Sequence, residues 1–151
     1  MAQRVLITAG ASGIGLAMAQ AFAAGGAQVW VTDVDAAMIA ALDKGFRNAE
    51  GLRRVTSETR DLFRRPLEPD EFKGVEAVVI DPPRAGAEAQ TAVLAKSGVP
   101  VIAAVSCNPV TFARDAKTLL RGGYSLDWVQ VVDQFRWSSH VELVARFSLT
   151  R

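Results

Sequence analysis

A single cysteine, a single histidine and a single tyrosine are all that 151 residues contain of those three types. With only Cys107, no internal disulfide framework can form. With only His140, the usual nitrogen ligands for a structural or catalytic metal are missing, and no metal site is expected. Long apolar runs are also lacking: no window reaches the roughly 18 residues that a membrane span requires, so no membrane partner is expected. The apolar stretch behind Arg4 runs at once into glycine, serine and an amphipathic helix, which argues against a signal peptide and for the cytosol.

Charge of one sign is scarce too. Lys and Arg number 17 against 16 Asp and Glu, a net of +1. Residues 1–44 carry Arg4 and Lys44 against Asp33, Asp35 and Asp43 (2 − 3 = −1), and the remainder carries fifteen basic and thirteen acidic residues, or +2. Arg53, Arg54, Arg60, Arg64 and Arg65 fall close together, but so mild a balance reads as a solvated face and not as a nucleic-acid surface.

What is present is a regular alternation. Strands are predicted at 4–8, 27–33, 52–58, 75–81 and 99–106. Helices fall at 13–25, 36–43, 86–96 and 109–121, with a short one at 68–73. Asp35 stands where it can cap the helix of 36–43. The last segments, 126–135 and 141–149, are strands with no helix between them, hence an antiparallel hairpin at the sheet edge. The fold class is α/β: a Rossmann-like three-layer sandwich in one domain, with a seven-stranded, mostly parallel sheet and a C-terminal antiparallel pair. Ligands in such sheets bind beyond the carboxyl ends of the strands. Thr8 to Gly15, Asp33, Asp61, Asp81 to Arg84, and Ser106 to Pro109 are expected around that crevice.

The stretch TAGASGIG at 8–15 joins the first strand to the first helix. Glycines permit a tight turn, and a helix N-terminus offers free N–H groups to an anion. Asp33, eighteen residues after Gly15, ends the second strand where a carboxylate can take both hydroxyls of a ribose. Residues 1–43 thus resemble the short-chain dehydrogenase/reductase family. The resemblance implies a dinucleotide site from Thr8, Gly10, Ser12, Gly13, Ile14, Gly15 and Asp33, with NAD preferred over NADP. Ala9 stands in place of that family's first glycine, and its catalytic Tyr and Lys pair is absent: Trp128 lies four residues after Tyr124. No dehydrogenase chemistry is expected.

The other half carries DLFRRPL at 61–67, DPPRAG at 81–86, SCNPVTFARD at 106–115 and DQFRWSSHVELV at 133–144. Four motifs in this order resemble the RNA 5-methyluridine methyltransferases, which use S-adenosylmethionine (SAM). The resemblance implies that Cys107 adds to uracil C6 and Glu142 removes the C5 proton. It also implies that Asp81 lies near cofactor and base with Pro82 beside it, and that Asp61 approaches the adenine. Read alone, Cys107 is equally an inert buried thiol, Glu142 an edge carboxylate and Asp81 a cap in a rigid Pro-Pro turn.

Two resemblances in one chain lead to the expectation of an engineered chimera, with a seam at 44–57 between a dehydrogenase-like unit at 1–43 and a methyltransferase-like unit at 58–151. A natural fusion is the other origin. The turn and Asp33 supply adenosine and pyrophosphate contacts together, which favours NAD bound without turnover. SAM, or no cofactor, are the other outcomes. A mostly covered sheet leads to the expectation of a monomer, and the lack of an RNA-binding barrel to weak RNA binding or none. The alternative is a minimal SAM-dependent uridine-C5 methyltransferase using Cys107 and Glu142.

Overall fold

The computed structural model describes residues 2–49, 52–53, 55–133 and 136–150. Arg54 of the arginine group, and Gln134 and Phe135 of the last motif, lie outside the described residues. The elements in chain order are β1 (Arg4–Thr8), α1 (Gly13–Ala24), β2 (Gln28–Asp33), α2 (Ala36–Asn48), β3 (Val55–Thr59), a 3-10 turn at Pro69–Phe72, β4 (Ala77–Ile80), α3 (Glu88–Ser97), β5 (Val101–Ser106), α4 (Pro109–Arg121), β6 (Tyr124–Val132) and β7 (Glu142–Leu149). The seven strands stand in the order β3-β2-β1-β4-β5-β7-β6. Pairing is parallel from β3 to β5, and β7 runs antiparallel to both β5 and β6. This is the Rossmann-like three-layer sandwich expected.

Alternation along the strands sends neighbouring residues to opposite faces. Val5, Ile7, Val29, Val31 and Val79 pack with Ala19 and Ala23 of α1 and Ile39 and Leu42 of α2. Leu6, Val78, Ile80 and Ile102 face the other way, against Leu94 of α3, Leu119 of α4 and Phe147. Strands buried on both faces read as continuous apolar runs, which is why β4 is Ala-Val-Val-Ile throughout.

Helix α4 occupies the predicted span, with Pro109 in its first turn and Asn108 Oδ1 accepting the Val110 N–H at 3.0 Å. Asp35 caps α2 as expected, its Oδ1 accepting from the Ala37 and Met38 N–H groups. Helix α2 does not stop at 43, however. Ile39, Leu42 and Phe46 fall at i, i+3 and i+7, and Phe46 packs against the same core as the first two, so the helix continues through Gly45 to Asn48. The first residues of the expected seam are therefore the interior of a helix. Strand β6 begins earlier than predicted because Tyr124 is buried and donates its hydroxyl to the Leu94 and Val99 carbonyls. Among the described residues, no helix is long and apolar enough to cross a membrane.

Candidate functional site

A cavity of about 330 Å³ opens beyond the carboxyl ends of β1, β2 and β4. Thr8, Asp33, Asp61, Asp81 and Pro82, each anticipated from the sequence, line it. Thr8 is buried at the end of β1, and its Oγ1 accepts the Asp81 N–H at 3.1 Å, which ties two strand ends together. Asp33 accepts the Ala11 N–H on Oδ2 and the Asp35 N–H on Oδ1, both at 3.1 Å. Asp61 forms an Asx turn, its Oδ1 accepting the Phe63 N–H at 3.0 Å. Sequence reasoning missed Thr32, Phe63 and Gln90 on the same wall. Phe63 sits inside the DLFRRPL motif, and Thr32 directly precedes Asp33 at the strand end, so both had a readable position.

The wall carrying Asp61 is held from behind. Arg60, 8% exposed, donates to both carboxylate oxygens of Glu71 and to the carbonyls of Arg65 and Pro66. Glu71 raises the Arg60 guanidinium further above its ordinary value, and Arg60 in turn holds the Glu71 carboxyl below the usual carboxylate range.

Thr8 and Ala9 open the TAGASGIG turn and line the cavity, but the rest of the turn does not. Gly10, Ser12, Gly13, Ile14 and Gly15 do not line this cavity. A Cβ on Gly15 would strike the Ala9 carbonyl, and one on Gly10 would lie 2.7 Å from Val31 Cγ1. Close packing of α1 against β1 and β2 is thus sufficient reason for both glycines. Ser12 and Gly13 line a separate groove between α1 and α2, Ser12 makes no side-chain cap bond, and Ile14 is half exposed.

Beside the cavity lies a second cluster. The antiparallel register pairs Val105 with Val144 and Ser106 with Leu143, so the next residues along each strand are Cys107 and Glu142. Asp81 follows Ile80, which is in register with Ala104 on the neighbouring strand. Burial first, and the charge of Glu142 second, push the Asp81 carboxyl above its ordinary range. His140 Nε2 stands 3.3 Å from Glu142 Oε1. This contact was missed, although His140 and Glu142 are two apart in an extended segment and so share a face.

The loops of this cluster are clamped to each other. Asn108 Nδ2 and Thr111 Oγ1 both donate to the Arg84 carbonyl, at 2.9 and 3.1 Å. Asp115 Oδ2 accepts the Ala87 N–H at 2.7 Å. The SCNPVTFARD segment therefore fixes the DPPRAG loop.

Comparison with known proteins follows the same lines. A family model described as tRNA (uracil-5-)-methyltransferase matches residues 15–147. An uncharacterised RNA methyltransferase of Mesorhizobium japonicum is 57% identical over 118 residues, 78% of this chain and 29% of its own. The 23S rRNA (uracil(1939)-C(5))-methyltransferase RlmD of Psychrobacter arcticus is 37% identical over 147 residues, 96% of this chain and 28% of its own. The chain thus spans less than a third of the length of these relatives. Magnesium protoporphyrin IX methyltransferase from Synechocystis, solved with SAM, superposes with a TM-score of 0.70 at 16% identity, covering 99% of this chain and 71% of that one. TYW2 of M. jannaschii, solved with AdoMet, gives 0.60 at 15% identity, covering 99% and 70%. At such identities these two fix the fold alone.

Three expectations are corrected by these findings. The chimera is overturned: the family model runs through 44–57, and the RlmD match takes in nearly the whole chain, dehydrogenase-like stretch included. NAD as favoured ligand falls with it, and the packing of Gly10 and Gly15 supplies the physical reason for a dehydrogenase-like string. Weak or absent RNA contact is overturned as well, because the matched family and relatives are RNA methyltransferases across most of this chain.

Proposed function

The chain belongs to the tRNA (uracil-5-)-methyltransferase family, and on that premise we propose that it methylates C5 of a uridine in RNA with SAM as methyl donor. The observation that carries the reading is the β5–β7 register, which ends with Cys107 and Glu142 as the next residues on adjacent strands, beside Asp81.

The cavity suits the donor. Its volume of about 330 Å³ is that of a small-molecule cleft. Asp33 at the end of β2 has free lone pairs for a ribose diol. Thr32 Oγ1 is buried there without a hydrogen-bond partner. Asp61 and Phe63 line the cavity and would hold the adenine of SAM, and Asp81 with Pro82, also in its lining, would hold the methionine end. When bound, SAM supplies an electrophilic methyl group.

The protein's own part is nucleophilic and then basic. The Cys107 thiolate adds to uracil C6, the π pair of the C5–C6 bond moves to C5, and C5 takes the methyl group, whose former bonding pair stays on the donor sulfur as a neutral thioether. Glu142 removes the remaining C5 proton, the C5–H pair restores the double bond, and the C6–S bond breaks to return the thiolate. Asp81, clamped through the Arg84 loop, keeps base and methyl donor in register.

Calorimetric titration with SAM and separately with NAD is the first test: saturable SAM binding and no NAD binding are expected. Incubation with SAM and 5-fluorouridine RNA should then leave a covalent protein–RNA adduct, since fluorine at C5 cannot leave as a proton. Cys107→Ala should abolish the adduct while SAM binding persists. NAD binding without SAM binding, or an adduct surviving in Cys107→Ala, overturns the reading.

A further inference from the structure

We propose that His140 takes the C5 proton onward from Glu142 and delivers it to water, resetting the base after each turnover. The inference rests on the methyltransferase reading above and adds a residue that acts through Glu142 without touching the substrate.

A base that gains a proton in every cycle must lose it before the next. Glu142 has limited access to solvent, with a side chain 16% exposed, whereas that of His140 is 28% exposed. Glu142 meets the charge of Asp81 after β4 and contacts His140 before β7, and Cys107 is the next residue after the end of the β5–β7 register. Asp81 is a poor relay, since burial already favours its protonated form, and a proton taken up there would be held instead of passed on. Cys107 leaves the uracil as a thiolate and must stay one to attack again. His140 is the remaining group: its Nε2 stands 3.3 Å from Glu142 Oε1, a hydrogen-bond contact that closes by a few tenths of an ångström for transfer. The loop that carries His140 is tied locally, its backbone N–H donating to Ser138 Oγ at 3.1 Å.

The protons balance. Glu142 leaves the elimination step as a carboxylic acid; its O–H proton passes to Nε2 of the neutral imidazole, restoring the carboxylate. The imidazolium then releases a proton to water on its exposed side. No oxidant or further reactant is needed.

His140→Gln provides the test, because its amide can still hydrogen-bond Glu142 but cannot carry a proton. The full chain and the variant would be compared with SAM on a uridine hairpin RNA and on its 5-fluorouridine counterpart. Adduct formation on the fluorinated RNA, which stops before proton removal, should be unchanged. On uridine RNA the variant should complete its first methylation at the normal rate. Later turnovers should then slow on the order of tenfold to a hundredfold, and added imidazole should restore them. Equal loss in first and later turnovers, or a loss that imidazole does not mend, would mean a structural role and sink the relay. Unchanged multiple turnover would sink it too. If the unaltered chain forms no adduct with the fluorinated RNA, the parent reading fails and the relay goes with it.

Discussion

Asp33 and Asp81 lie at the ends of strands in the parallel part of one sheet, on β2 and just beyond β4, with β1 between them. Asp33 accepts two backbone N–H groups and thereby fixes the turn that precedes α1 and the entry to α2. Among the described residues no donor reaches the Asp81 carboxylate, and burial and Glu142 push its pKa up. The same contrast extends to their neighbours. Around Asp33, Gly10 and Gly15 are required by contacts of the chain with itself. Around Asp81, Glu142 adds its charge and His140 contacts Glu142, while Cys107 follows Ser106 on the neighbouring strand. A motif that packing explains is weak evidence of function. A cluster that costs stability and packs nothing is stronger evidence.

The sharpest way to break this contrast is to exchange the two regions' failures. Gly15→Ala should lose about 3 kcal/mol or more, since its methyl meets a backbone carbonyl that cannot rotate away. Urea unfolding would read it. Cys107→Ala should change stability by less than about 1 kcal/mol while removing the RNA adduct entirely. A stable Gly15→Ala protein that loses only ligand binding would return the glycine turn to the functional site.

Replacing each aspartate by asparagine sharpens the comparison at lower amplitude, and the signs should be opposite. Asp33→Asn weakens the acceptors that hold the Ala11 and Asp35 N–H groups, and should cost about 1 kcal/mol. For Asp81 the folded-state pKa lies above its unfolded value, so the folded protein binds the extra proton between those two values. Stability therefore falls as pH rises from the ordinary carboxylate range through the raised Asp81 value, and the penalty persists at neutral pH. Asp81→Asn removes that fall: thermal melts should show it more stable than the parent near pH 7 and equal to it in acid. Two destabilised variants would mean that Asp81 too serves the fold.

How the chain could be read follows from the same division. Strand β4 was plain because an unbroken apolar run of strand length has few other uses, and α4 because Pro109 and Gly122 bracket it. The strand-end residues Thr8, Asp33, Asp61 and Asp81 fell around one cavity because topology alone sends strand ends there. The glycine turn misled because a string of closely spaced glycines looks the same whether a ligand or a helix makes the close approach. Phe46 lay beyond an apparent break at Gly45, yet one glycine costs a helix only about 1 kcal/mol. His140 was weighed only as a metal ligand, although its spacing of two from Glu142 in an extended segment puts both on one face.

The smallest effect belongs to the cavity wall, which tests whether self-satisfaction marks structure even within the ligand site. Arg60 is buried and takes all its partners from the chain, so the wall behaves like the Asp33 region although Asp61 beside it faces the cavity. Glu71, its acidic partner, has a side chain 37% exposed, so solvent screens the pair and its share is less than about 1 kcal/mol. Its folded-state pKa is depressed, so the increment is present above the ordinary carboxylate range and is lost as pH falls through the lowered Glu71 value. Glu71→Gln should thus be slightly less stable than the parent at pH 7, and the gap should close on acidification, as melts from pH 7 to pH 3 would record. Its SAM affinity should be unchanged, because Arg60 still holds the Arg65 and Pro66 carbonyls and the wall keeps its shape. A variant of parental stability that binds SAM poorly would show that the Arg60 network answers to the ligand, and the division between the two regions would not extend to the cavity they share.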